Sequence, residues 1–269
     1  TINPTFGGDV SYGRLLSKGF DTQTNEFHFL QLAAPLFLIL LTRLRMPVST
    51  TFLLLNVFAA SGKAMGAVAF KSISGYIIAF VASIVIWSLL GPAMKRWFSG
   101  VAHPGWRVAQ WATTGCLWSV WLMQDAANIA VFLPRSLTLV ELIAFCAVIV
   151  AGLGYLFSMG GEKIQEVVNE KSNVVDVRAA TVLDFVYAVI LYIFKFASQI
   201  PMSTTWVFVG LLAGREIAMT SRGAGEDGRT VKTALKLAGR DLLYVTIGFI
   251  ISVILAAVIN PAIAKSLFG

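Results

Sequence analysis

The sequence carries the same polar interruption twice inside strongly apolar surroundings, as Pro47-Val48-Ser49-Thr50-Thr51 and as Pro201-Met202-Ser203-Thr204-Thr205. A proline ends or kinks a helix, because it has no backbone N–H and its ring clashes with the preceding turn. In hydrocarbon the groups freed at such a break find no water, so the break survives only where it is buried in protein or lines a polar cavity. One Pro-x-Ser-Thr-Thr reads as a helix N-cap, since Ser and Thr side chains bond free backbone donors. Two at matching places in a membrane chain read as one binding site built from two breaks.

The surroundings are membrane-like. Of 269 residues, 57% are hydrophobic and 13% charged, against roughly 25% charged in a soluble domain, and the mean hydropathy is +0.77. The runs 73–90, 137–157, 182–194 and 242–259 approach the ~20 residues a helix needs to cross the hydrocarbon. An all-α polytopic membrane protein follows, because a barrel would need short alternating strands.

The net charge of +7 points to loop orientation and anionic lipid, not to nucleic acid. Arg215, Arg222, Arg229, Lys232, Lys236 and Arg240 are expected to crowd the loop after the second break, against Lys63 and Lys71 in the matching loop of the first half. That bias makes the later loop cytoplasmic. Lys95, Arg96 and Arg107 mark a second cytoplasmic connection if the halves are inverted, which puts the C-terminus outside a cell (inner) membrane. Cys116 and Cys146 read as small buried hydrophobes, and His28 and His103 stand apart from any metal or nucleophile arrangement. An enzyme is not expected, nor a cofactor.

The halves align. Pro201 follows Pro47 by 154 residues, and Gly160-Gly161 follows Gly7-Gly8 by 153. Gly91-Pro92 corresponds to Asn260-Pro261 at an offset of 169, which leaves about fifteen extra residues in 221–234. Residues 106–155 have no counterpart in the first half. The expected organisation is a single transmembrane domain of two inverted-topology repeats with broken or re-entrant helices, 1–105 being the C-terminal part of a truncated first repeat and 106–269 the second. The chain is then expected to be a fragment lacking the front of its first repeat, an intact chain with a degenerate first repeat being the alternative. The polar stretch 160–178 is either an amphipathic surface connection or a solvated linker, with 9–26 as its counterpart.

Hydroxyls at a helix start, together with the N–H groups freed there, make a concave donor set that holds an oxyanion through the partial positive charge of the helix N-terminus. Ser49, Thr50, Thr51, Ser203, Thr204 and Thr205 are the candidate substrate ligands. Asp125 and Asn128 join them, since a spacing of three puts both on one helix face and a carboxylate inside a span is a functional candidate. The alternative is a helix–helix hydrogen bond with Gln124. Oxygens of Asp125, Asn128 and Gln124 suit a hard cation such as Na⁺, with Asp125 and Asn128 its main ligands. The cradle itself is expected to be neutral, and a proton passed from the anion to Asp125 would favour phosphate over sulfate.

Other residues carry blander expectations. Lys195 is expected to snorkel to the interface, with neutralisation of substrate charge as the alternative, and Asp184 faces the same choice. Asn56, which aligns with Gly210, lines the pocket. Gly152, Gly154, Gly160 and Gly161 serve close helix packing, while Trp and Phe side chains mostly face lipid or its interface.

The motifs Gln124-Asp125-Ala126-Ala127-Asn128-Ile129, Pro201-Met202-Ser203-Thr204-Thr205-Trp206 and Pro47-Val48-Ser49-Thr50-Thr51-Phe52 resemble the signatures of the inorganic phosphate transporter (PiT) family, Asn-Asp-x-x-Asn-Ala and Pro-Val-Ser-Thr-Thr-His. Phe52 and Trp206 stand where that family has His, Gln124 replaces its Asn and Ile129 its Ala, which marks a divergent member. The resemblance implies secondary active transport of phosphate by Na⁺ or H⁺ symport with alternating access, in a membrane lipid setting and with a homodimer as one possible assembly. Sulfate or another tetrahedral oxyanion is the alternative cargo, and an anion channel the alternative class.

Overall fold

A computed structural model describes residues 11, 13–15, 29–44, 46–98, 100–134, 136–160, 176–197, 201–222 and 230–269, with the side chains of 92–97 left aside. The pair Gly7-Gly8, Gly161, Arg229, most of 9–26 and nearly all of the 160–178 connection lie outside the described residues. Helix accounts for 83% of what is described, and no strand occurs there.

Four helices are long and apolar enough to cross a membrane, and each contains or nearly matches one of the four apolar runs. They are α3 (Gly62–Trp97), α5 (Leu139–Ser158), α6 (Val177–Ala197) and α8 (Val231–Ile259). The chain is an all-α membrane protein. Around these lie α1 (Ala33–Arg43), α2 (Thr50–Leu55), α4 (Gly105–Ala130), α7 (Thr204–Ser221) and α9 (Pro261–Phe268). With the short 3-10 turn that follows it, Asn56–Phe58, α2 rises only ~13 Å at 1.5 Å per residue, well short of the ~30 Å hydrocarbon core. It is a half-helix.

Two pairings organise the molecule. α7 runs along α3, and the short α2 runs along α8, so the helix following each break packs against the long helix that follows the other. Gly210 and Gly214 make the first pairing possible. A Cβ on Gly210 would lie 2.5 Å from the Tyr76 carbonyl oxygen, and one on Gly214 would strike that of Phe80. Ser83 Oγ donates to the Leu211 carbonyl at 2.7 Å in the same groove. In the second pairing Asn56 Nδ2 donates to Ser252 Oγ at 3.2 Å, and Asn260 Nδ2 ties the start of α9 to the carbonyls of Val57 and Ala59. α4 and α6 lie side by side in one direction, with Thr114 Oγ1 donating to Asp184 at 2.5 Å and Gln124 Nε2 to the Leu191 carbonyl at 3.1 Å.

Several expectations are corrected. Gly152 and Gly154 do not pack closely: among the described residues nothing lies within 4 Å of a Cβ at either, because α5 has no buried residue. Its start is fixed by its own capping box, in which Thr138 and Glu141 satisfy each other. Gly160 instead ends α5 with a φ of 84°, a left-handed conformation that suits glycine. Cys116 and Cys146 are exposed thiols. Trp87, Trp206 and Phe52 are core side chains. The basic loop is shorter than expected, since Lys63 and Lys71 belong to α3, Arg215 to α7, and Lys232, Lys236 and Arg240 to α8. Lys71 and Arg215 are buried.

At the start of α6 the Arg178 guanidinium reaches the carbonyls of Phe98 and Gly100, stacks 5.0 Å over the Phe98 ring and pairs with Asp176 at 2.6 Å. That hydrogen-bonded pairing holds the Asp176 carboxyl below its ordinary range. A lowered carboxyl contributes stability above its unfolded pKa of about 4 and loses it as pH falls through the lower folded value. Asp176 is 38% exposed, so the contribution stays under about 1 kcal/mol. The small melting-temperature difference between wild type and Asp176→Asn is expected at about pH 6 and should close toward about pH 3; a difference unchanged in acid would contradict this.

Candidate functional site

Each break has the same local construction. Pro47 to Ser49 and Pro201 to Ser203 lie outside any helix, and each serine, itself extended, caps the helix it precedes: Ser49 Oγ accepts from Phe52 N at 3.1 Å and Ser203 Oγ from Trp206 N at 3.2 Å. The N-cap role is therefore real for both serines, and one lone pair of each hydroxyl is spent on it. Both caps are buried, as are both Val48 and Met202 before them. Val48 packs on Gly248 of α8, while Met202 would meet a Cβ on Gly75 of α3 at 3.1 Å. The backbone N–H of Ser203 is held by Ser72 Oγ at 2.9 Å.

The two breaks meet. Thr51 Oγ1 donates to the Met202 carbonyl at 3.3 Å and Thr205 Oγ1 to the Val48 carbonyl at 3.4 Å. Thr205 follows Thr51 by 154 residues and Met202 follows Val48 by 154, so each break makes the same bond to the other. The rings of Phe52 and Trp206, also 154 apart, close one side edge to face at 5.6 Å.

α4 lays Asp125 and Asn128 across this junction. Asn128 Nδ2 reaches Thr50 Oγ1 at 3.1 Å, Thr51 Oγ1 at 3.3 Å and Asp125 Oδ1 at 2.9 Å. Thr204 Oγ1 donates to Asp125 Oδ2 at 2.8 Å and accepts from Trp121 Nε1 at 3.1 Å. Tyr187 OH donates to the Thr204 carbonyl at 2.9 Å. All eight expected substrate ligands thus fall in one contiguous patch, with Asp125 touching the second break and Asn128 the first. Gln124 faces the other way, onto α6. Its Oε1, like Asn128 Oδ1, is buried without a hydrogen-bond partner among the described residues. Asn128 Oδ1 beside a carboxylate fits part of a hard-cation ligand set; Gln124, turned to Leu191, fits less well.

Charge near the patch is not limited to helix ends, which corrects the expectation of a neutral cradle. Arg14 is fully buried, its Nε donates to the Met123 carbonyl at 2.8 Å, and it lies within Coulombic reach of Asp125. Lys195 is buried too, with its Nζ 2.7 Å from Met123 Sδ, rather than snorkelling outward. Lys71, one residue before the Ser72 that holds Ser203, is also buried. Asp184 stays on Thr114, away from the patch, and Asn56 sits deep between α2 and α8. Arg14, Lys71, Trp121 and Tyr187 were not singled out from the sequence as site residues. An aromatic or a cation inside an apolar stretch has many ordinary explanations, and only the fold brings these four to one place.

No family model, no curated protein and no solved structure matches this chain.

Proposed function

We propose that this chain is a secondary transporter of a tetrahedral inorganic oxyanion, phosphate by preference, driven by symport of Na⁺ or H⁺. The observation that carries the reading is the reciprocal pair of hydrogen bonds between the breaks, Thr51 to Met202 and Thr205 to Val48. A bond made twice with partners exchanged is what two repeats facing each other across a two-fold axis would produce. The exchanged helix packing, α2 with α8 and α7 with α3, has the same form. Two inverted repeats meeting at broken helices give a site that rocking exposes to either face in turn.

The chemistry of the patch supports an anion and a cation together. Hydroxyls, helix starts and buried cations favour an oxyanion, while Asp125 and Asn128 Oδ1 offer oxygens to a coupling cation. A pure anion channel would gain nothing from that carboxylate. The resemblance to the PiT family favours phosphate, and the cytoplasmic placement of the basic end of α8, with the C-terminus outside, belongs to the same proposal.

The test is uptake of labelled phosphate into proteoliposomes under imposed Na⁺ and H⁺ gradients. Accumulation driven by one of them, competed better by arsenate than by sulfate, is expected. Passive equilibration with no gradient dependence would favour a channel, and no uptake of any tetrahedral oxyanion would overturn the reading.

A further inference from the structure

We propose that Trp121 is a positioning residue that commits the Thr204 hydroxyl to Asp125, and so divides the two matching triplets between two tasks. The second triplet holds the carboxylate, and the first offers its hydroxyl to the anion. This rests on the transport reading above.

A threonine hydroxyl has one hydrogen and two lone pairs, an indole N–H can only donate, and an ionised carboxylate can only accept. With Trp121 Nε1 at 3.1 Å and Asp125 Oδ2 at 2.8 Å, the polarity of the chain is therefore fixed: indole to hydroxyl to carboxylate. The Thr204 hydrogen is spent on Asp125. Rotating that hydroxyl toward a substrate would break two bonds at once, one of them to a charged group. Tyr187, from α6, adds a bond to the Thr204 carbonyl at 2.9 Å, so side chain and backbone are both held. Thr204 is 4% exposed.

Its counterpart is in a different state. Thr50 Oγ1 accepts from Asn128 Nδ2 at 3.1 Å, but its hydrogen meets no acceptor among the described residues. The side chain is only half-buried. A hydroxyl with a lone pair filled by an amide and its hydrogen uncommitted is a ready donor to an oxyanion. The sequence motif is symmetric; the partners that α4 and α6 supply are not.

Two readouts test this on the reconstituted full chain: the cation and phosphate dependence of uptake, and the infrared carboxylate band of Asp125, isolated as the difference from Asp125→Asn. Trp121→Phe keeps the ring and removes the donor. It should raise the Na⁺ or H⁺ concentration for half-maximal uptake about tenfold, the equivalent of ~1.4 kcal/mol, move the Asp125 band, and leave the phosphate KM within about twofold. Thr204→Val should shift both readouts the same way and add less than fully to Trp121→Phe, since the indole also bears on the Asp125 carboxylate itself, and Thr204→Ser should restore both readouts. Thr50→Val should raise the phosphate KM and leave the band in place. An unmoved band in Trp121→Phe, or a phosphate KM that rises as in Thr50→Val, would overturn the proposal. Should Trp121→Phe not fold, Thr204→Val against Thr204→Ser makes the same comparison. If the wild type carries no oxyanion, the transport reading fails on its own, and the band still decides for or against Trp121.

Discussion

Asp125→Asn is expected to lower gradient-driven phosphate uptake by at least about a hundredfold, ~2.7 kcal/mol or more, while the protein still folds and inserts. Asp125 takes a hydrogen bond on each carboxylate oxygen, from Asn128 and from Thr204. An asparagine has one acceptor atom and two N–H groups in the same space, so one of those donors loses its acceptor and faces another donor. Leaving a buried donor unsatisfied costs about 1–3 kcal/mol, and the charge available to a coupling cation is gone as well. The fold survives because Tyr187 to Thr204, Gln124 to Leu191 and the Thr51 and Thr205 bonds across the breaks do not involve the carboxylate. Initial uptake rates from matched proteoliposomes, with protein content checked by gel filtration and immunoblot, measure it. Uptake within a few-fold of wild type would remove Asp125 from the transport site.

Gly214→Leu, and to a similar degree Gly210→Leu, should prevent the chain from reaching its native packing. The obstacle at both positions is the carbonyl of α3, at Tyr76 and Phe80, and backbone cannot turn aside as a long side chain can. Overpacking a well-filled interior typically costs about 1–3 kcal/mol and sometimes more; here the whole α3 and α7 contact must open, so the upper end or beyond is expected. α7 carries Thr204 and Thr205, and its displacement would pull the second break off the first. Thermal unfolding in detergent, followed by gel filtration, reads the effect. A monodisperse Gly214→Leu protein melting as wild type does would show that the helices lie farther apart than described. Gly152→Leu on α5, where a Cβ meets nothing, is the matched control and should be near neutral.

The parts of this molecule that could be read from the chain are those where one local signal has one physical meaning. Long apolar runs in a weakly charged sequence read as spans, and all four became helices long and apolar enough to cross a membrane. A repeated proline with hydroxyls behind it can only be a break, and both breaks became capped helix starts. Asp125 and Asn128 stood out because polar side chains are rare in such surroundings. Glycine was harder. Gly152 and Gly154 looked like packing glycines and meet nothing among the described residues, while Gly210 and Gly214, four apart on one helix face, mark a close helix contact with the α3 backbone. Spacing shows which residues share a face, not which face finds a partner. Arg14, Lys71 and Lys195 were illegible for a related reason: hydropathy counts a charge against a span but does not say whether it points to the membrane surface or inward to Asp125 and Met123.

The central claim is that the two breaks form one substrate site open alternately to both sides of the membrane. Thr50→Cys, made with Cys116 and Cys146 replaced by Ser because both are exposed, places one reporter thiol at the anion face of that site. In sealed proteoliposomes of known orientation, a membrane-impermeant thiol reagent should label it from either side, and phosphate, raised in concentration to offset the lost Thr50 hydroxyl, should with the coupling cation slow labelling from both. Labelling from one side only, or at a rate phosphate does not change, would contradict a shared alternating site.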